Sequence, residues 1–200
     1  MTLTLYTNPM SRGRIARWML EEIGHPYETV VLSYGAEMKA PDYLSLNPMG
    51  KVPTLVHDGQ VITECAAICL YLADAFPKAG MIGKNRAAYY RWMLFAAGPL
   101  EAAVTNKALG LIPPAERQQM VGYGSYETAC AALDSAVTAA EFIAGDTFSA
   151  ADVYVGSQIG WGLQFGSIPE TPALATYWNR IKDRPARLRA DAADNALVPQ

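Results

Sequence analysis

Over the first 80 residues the hydrophobic and polar positions follow two periods in turn. Thr2–Tyr6 alternates around Leu3 and Leu5 and is rich in β-forming residues, which predicts a first strand. From Arg12 to Ile23 the apolar residues Ile15, Met19 and Ile23, with Ala16 and Leu20 beside them, make one helical stripe. Arg17 and Glu21 form an i,i+4 pair on that helix, and Gly24 with Pro26 supplies its stop. Tyr27–Leu32 is β-branched and apolar, so a second strand completes a βαβ unit with a right-handed crossover. Residues 33–50 are turn-rich, with a short helix near Pro41–Leu46. Val52–His57 and Gln60–Thr63 flank Asp58-Gly59, a two-residue hairpin signal. Glu64–Phe76 returns to helical period, with Ile68, Tyr71, Leu72 and Ala75 on one face and Pro77 and Gly80 at its end.

Beyond about residue 80 the strand period disappears. Lys84–Leu109, Ala115–Ile143, Ala150–Leu163 and Pro172–Ala192 are alanine-rich and predict helices, and Pro99 after Gly98 predicts a bend in the first of them. Ser149-Ala-Ala-Asp152 has the spacing of a capping box with aspartate in place of glutamate. The expected organisation is an α/β domain over residues 1–80, in the order β-α-β-loop-β-β-α, then an all-α domain over 84–200, with the boundary at Pro77–Gly83.

Composition narrows the function. With 51% apolar and 18% charged residues the chain has the means to build a core, which excludes a disordered protein. The net charge of −3 is evenly spread: residues 1–80 carry 6 basic and 8 acidic groups, and residues 81–200 carry 10 and 11. No basic field exists for nucleic acid. The apolar runs Cys65–Ala73 and Trp92–Leu100 are too short to span a bilayer, so no membrane partner is expected. Three scattered cysteines and no secretory leader fit a cytoplasmic protein. His25 and His57 have no acid or cysteine at ligand spacing, so no metal site is expected. The usual protein nucleophiles and bases are thus scarce.

Asn47-Pro-Met-Gly-Lys-Val-Pro-Thr-Leu55, followed by Ile62-Thr-Glu-Cys-Ala-Ala-Ile68, resembles the glutathione-binding stretch of cytosolic glutathione transferases. Ser149–Asp152 resembles the capping box of that family's buried helix, and Arg184-Pro-Ala186 resembles its usual ending. The resemblance spans the chain. It implies a thioredoxin-like first domain, an all-α second domain, a homodimer and glutathione as substrate, with no separate cofactor.

The same resemblance assigns the site. It makes Pro53 cis, which turns the backbone N–H and C=O of Val52 outward for a peptide-like ligand to pair with. It places the γ-glutamyl carboxylate at the N–H of Cys65, at a helix N-terminus, and the ligand's amino group at Glu64. Cys65 stands where the family generally has serine or threonine, and a thiol is a weaker donor than a hydroxyl. Lys51, and Lys39 from the loop before it, are the candidates for the glycyl carboxylate, although Lys39 reads equally as a solvated charge.

Pro9-Met10-Ser11 and the residues after it align with the catalytic loop of the plant-type phi class, where serine donates a hydrogen bond to the glutathione sulfur. On local sequence alone Ser11 reads as a helix cap. Tyr6 and Thr7 or Asn8 are the other donors in range. A hydroxyl on the sulfur, with a helix N-terminus behind it, favours thiolate over thiol. By position in the family, Met10, Trp92, Phe95 and Trp161 are candidates for the pocket of a small hydrophobic electrophile, although such stripes are commonly core. The expected activity is conjugation of glutathione to that electrophile. A glutathione-dependent disulfide or peroxide reductase and a non-catalytic binding module are the alternatives. Positions 7–14 contain no cysteine, which disfavours a mechanism through a protein thiol.

Overall fold

A computed structural model describes residues 2–198. Among the described residues four strands form one mixed sheet. The first, β1 (Leu3–Thr7), runs parallel to β2 (Glu28–Val31) and antiparallel to β3 (Thr54–His57), which pairs in turn with β4 (Gln60–Ile62). Asp58 (φ 47°) and Gly59 (φ 81°) join β3 to β4 with the positive φ values that a tight two-residue hairpin demands. Alternation along β1 buries Leu3, Leu5 and Thr7 and leaves Thr4 and Tyr6 half-buried on the other face. Two helices cover the core. The apolar stripe of α1 (Gly13–Ile23) buries Ile15, Ala16, Met19 and Leu20. A short α2 (Pro41–Leu46) precedes β3, and α3 (Cys65–Ala75) buries Ile68, Cys69, Leu72 and Ala73. Each large aliphatic side chain buried in this way contributes about 1.5–3 kcal/mol.

The chain divides into two compact units. Residues up to Met81 form one together with the segment from Asp183 onward, and Ile82–Lys182 forms the other. The single helix expected over Pro172–Ala192 is corrected to two. The pyrrolidine of Pro185 drives the preceding Arg184 into extended geometry (φ −60°, ψ 135°), ending α8 (Pro172–Ile181) and starting α9 (Pro185–Asn195). Helix α9 then lies along α1. Arg184 donates to both carboxylate oxygens of Glu22 (2.7 and 2.8 Å), and Arg189 pairs with Glu21 at 2.8 Å. Arg17 reaches Asp194 at 2.8 Å in the interior. These partners replace the i,i+4 pair expected between Arg17 and Glu21. The Tyr27 phenol accepts from Arg17 (3.2 Å) and donates to Glu21 (2.9 Å). Burial, only partly offset by the nearby Arg17, pushes its pKa up to about 12, so it keeps the proton it donates.

In the second unit α4 (Arg86–Phe95) passes through a π-type turn (Ala96–Leu100) into α5 (Glu101–Ala108). Pro99 sits inside that turn and has no N–H to give, so the wider turn is the local form of the expected bend. The predicted helix Ala115–Ile143 is corrected to a 3₁₀ turn (Ala115–Met120) and α6 (Tyr126–Thr138). Gly124 takes φ 66° between them, and the Ser125 hydroxyl accepts from Thr128 N–H to start the new helix. The central helix α7 (Ala150–Phe165) is buried along most of its length. Among the described residues no helix is long and apolar enough to cross a membrane.

Candidate active site

The chain leaves β1 through a turn that is held from several sides. Asn8 donates through Nδ2 to Leu32 O (2.8 Å) and accepts Met10 N–H on Oδ1 (2.9 Å). Arg14 Nε donates to Pro9 O (2.5 Å), and the Tyr34 phenol donates to Met10 O (3.1 Å). Ser11 is half-buried in this turn. Its hydroxyl donates to Asn8 O at 2.7 Å and accepts from Gly13 N–H at 2.9 Å, so in the free protein it caps the start of α1. Of the two sequence readings of Ser11, this geometry is that of the cap. Its proton is shared with a carbonyl, and its oxygen is polarised by an N–H of the helix terminus. Tyr6, on β1, packs its ring against Tyr43 with centroids 5.8 Å apart.

Gly13 was not among the expected site residues. A Cβ there would lie 1.8 Å from Thr7 Oγ1, and Thr7 is fully buried. Helix α1 can begin this close to β1 only with a glycine at that position. Gly13→Ala is expected to cost about 1–3 kcal/mol by overpacking and to displace the N–H that holds Ser11. Thr7→Ala in the same chain removes the Oγ1 that makes the closest clash and should restore part of the stability. Urea midpoints of the single and double variants check this, and equal midpoints for wild type and Gly13→Ala would refute it.

The second half of the site is built by the turn before β3 and the start of α3. The Val52–Pro53 peptide is cis, and ladder pairing of β3 with β1 begins at Thr54, so Val52 stands just before the paired strand. Tyr43 OH and Asn47 Nδ2 donate to Lys51 O (2.6 and 2.8 Å) and both contact Thr54 Oγ1, which fixes this turn from beneath. Neither residue was singled out by sequence. Lys39 is drawn to the same turn: its ammonium donates to Met49 O (2.8 Å) over Gly50, where a Cβ would meet Met38 O at 2.5 Å. Lys51 itself is exposed.

Glu64 enters α3 at φ 64°, ψ 114°, a conformation that costs a non-glycine residue about 1–3 kcal/mol. Its carbonyl already accepts Ile68 N–H (2.9 Å), and its side chain gives the helix no cap, so the first N–H groups of α3 remain for an external anion. Cys65 is buried, and its thiol donates to Arg12 O at 3.5 Å. The Cys65 side chain thus ties the start of α3 to the Ser11 turn. Cys69, one turn on, is fully buried, and its hydrogen bond with Cys65 together with burial holds its thiol well above the ordinary range. That thiol stays protonated and is a poor nucleophile.

Of the candidates for a hydrophobic co-substrate, Met10 is exposed in the first unit. In the second, Trp92 and Phe95 meet edge to face with centroids 5.4 Å apart, and Trp161 is half-buried on α7.

Comparison with known proteins identifies the family. Residues 1–74 match the glutathione S-transferase N-terminal domain. A glutathione S-transferase of Xanthomonas campestris pv. campestris is 31% identical, over 90% of this chain and 92% of its own. One from Arabidopsis thaliana is 28% identical, over 93% and 94%. The structure of a sphingomonad glutathione S-transferase complexed with glutathione superposes with a TM-score of 0.76 at 30% identity, covering 96% of this chain and 98% of that one. A thioredoxin-like mixed sheet followed by a helical region, with these matches, defines the class. The chain belongs to the glutathione transferase family and is a glutathione transferase.

Proposed function

We propose that this enzyme binds glutathione across Val52, the first turn of α3 and the Ser11 turn, ionises its thiol, and directs the sulfur at an electrophilic carbon of a small hydrophobic compound. The observation that carries this reading is the Cys65–Arg12 contact, which brings the open N-terminus of α3 against the loop holding Ser11. One tripeptide then has its γ-glutamyl carboxylate at Cys65 N–H, its amino group at Glu64, its backbone on Val52 and its sulfur at Ser11. Lys39 and Lys51 supply positive charge for the glycyl carboxylate.

The chemistry needs one proton removed and one hydrogen bond supplied. The thiol releases its proton to solvent, and the Ser11 hydroxyl turns from Asn8 O to the sulfur. Gly13 N–H keeps donating to Ser11 Oγ and strengthens the O–H as a donor. The thiolate forms the C–S bond, and the leaving group departs with the electron pair of the bond it held. We assign the working form to a cytoplasmic homodimer, on the family resemblance.

The test is a glutathione titration followed by thiolate absorbance against pH, then assays with a chlorodinitrobenzene and with hydroxyethyl disulfide. Wild type should bind glutathione with a lowered thiol pKa and conjugate the aromatic substrate. Ser11→Ala should raise the bound thiol pKa by about 1–2 units, a loss of roughly 1.4–2.7 kcal/mol, and cut conjugation at least about tenfold at neutral pH. Unchanged activity in Ser11→Ala would remove the assignment. Activity on the disulfide alone would replace conjugation with reduction.

A further inference from the structure

The peptide between Met10 and Ser11 is held at both ends. Its carbonyl accepts the Tyr34 phenol at 3.1 Å, and its amide N–H donates to Asn8 O at 3.1 Å. A peptide unit is planar, with C=O and N–H pointing to opposite sides, so these two bonds fix its rotation about the chain. That rotation sets the direction in which the Ser11 side chain leaves the backbone. Asn8 O takes the hydroxyl of Ser11 as well as its amide, which makes the plane and the hydroxyl parts of one arrangement. Asn8 is anchored from within the turn and from Leu32. Tyr34 comes from the separate segment after β2 and is 61% exposed, so its ring adds little to the core. What it gives the molecule is this hydrogen bond.

We propose that Tyr34 is a positioning residue for the Ser11 hydroxyl: by fixing the Met10–Ser11 peptide it sets the angle from which that hydroxyl leaves Asn8 O and meets the glutathione sulfur. The inference rests on the role given to Ser11 above. It makes Tyr34 act on the thiol only through Ser11, with no contact of its own to the sulfur.

A double-mutant cycle tests it, with the bound thiol pKa and the conjugation rate as readouts. Tyr34→Phe removes only the hydroxyl. It should raise the bound thiol pKa by roughly half a unit to one unit and lower conjugation about three- to tenfold. The glutathione dissociation constant should stay within about twofold and the unfolding midpoint unchanged, because the ring is exposed. In a Ser11→Ala background, Tyr34→Phe should change neither readout further. An additive effect in that background would show Tyr34 acting independently and overturn the proposal. An unaltered pKa in Tyr34→Phe, with Ser11→Ala still effective, would overturn it while leaving Ser11 in place. No effect of Ser11→Ala would instead reject the reading on which the proposal stands.

Discussion

Replacing Asp152 with alanine should destabilise the helical unit by about 3–5 kcal/mol, a large share of the ordinary stability of about 5–15 kcal/mol. The carboxylate is completely buried and accepts four hydrogen bonds. They come from Ile143 N–H (2.8 Å), Ser149 N–H (2.9 Å), the Ser149 hydroxyl (2.9 Å) and the Tyr177 hydroxyl (2.7 Å). Burial pushes this carboxyl up, and the four donors draw it part of the way back. Alanine leaves two buried N–H groups and a buried phenol without an acceptor, at about 1–3 kcal/mol each. The Ser149 hydroxyl can rotate and is the least affected. Asparagine keeps the volume and one acceptor oxygen but turns an NH₂ toward donors, so Asp152→Asn should fall between wild type and alanine. Urea unfolding followed by tryptophan fluorescence reads mainly this unit, because Trp92, Trp161 and Trp178 lie in it and only Trp18 lies in the other. A loss below about 1 kcal/mol in Asp152→Ala would mean the donors find other partners.

The capping box was legible because its signal is local: four residues announce both the helix start and the acid that holds it. The cis turn at Val52–Pro53 was legible only through the family resemblance, because local composition does not mark one proline among thirteen as cis. What sequence could not carry were contacts between distant segments. The apolar stripe of α1 was read correctly, yet periodicity says which face is buried and not what covers it. The i,i+4 spacing of Arg17 and Glu21 suggested a surface pair, whereas Arg17 turns inward to a partner 177 residues away. Gly13 lies inside the segment expected as the first helix and carried no signal of its own, because the Thr7 hydroxyl that excludes a side chain sits on β1. Over Ala115–Ile143 an alanine-rich composition outweighed Gly122 and Gly124, although a left-handed glycine followed by a serine cap marks the end of one segment and the start of another. Tyr34 gave no signal, since an exposed tyrosine in a turn-rich segment is unremarkable until its hydroxyl is seen on Met10 O.

The pair Arg17–Asp194 supports the second large prediction. Burial opposes the charge on Arg17, but Asp194 and Tyr27 outweigh it and hold the guanidinium pKa above its ordinary value. On Asp194 burial dominates and raises the carboxyl, against the pull of Arg17. Arg17→Met keeps most of the packing volume and leaves the carboxylate buried without its partner, which should cost about 3–5 kcal/mol. The deficit should depend on pH, with a definite sign. Without the guanidinium, the folded-state pKa of Asp194 rises further above that of the unfolded chain. The stability tied to its proton is present in full below about pH 4 and is lost as pH rises through the folded value. The gap between variant and wild type should therefore be narrow in mild acid and widen toward neutrality. The consequence reaches the Ser11 turn, because Arg14 donates both to Pro9 O (2.5 Å) in that turn and to Asn195 Oδ1 (2.8 Å) on α9. Loosening α9 from α1 frees one side of this link, so Arg17→Met should also raise the bound glutathione thiol pKa at urea concentrations below the unfolding transition. Unfolding curves between about pH 5 and 8, with the thiol titration beside them, decide the matter: a deficit constant across that range would show that Asp194 finds another counter-charge.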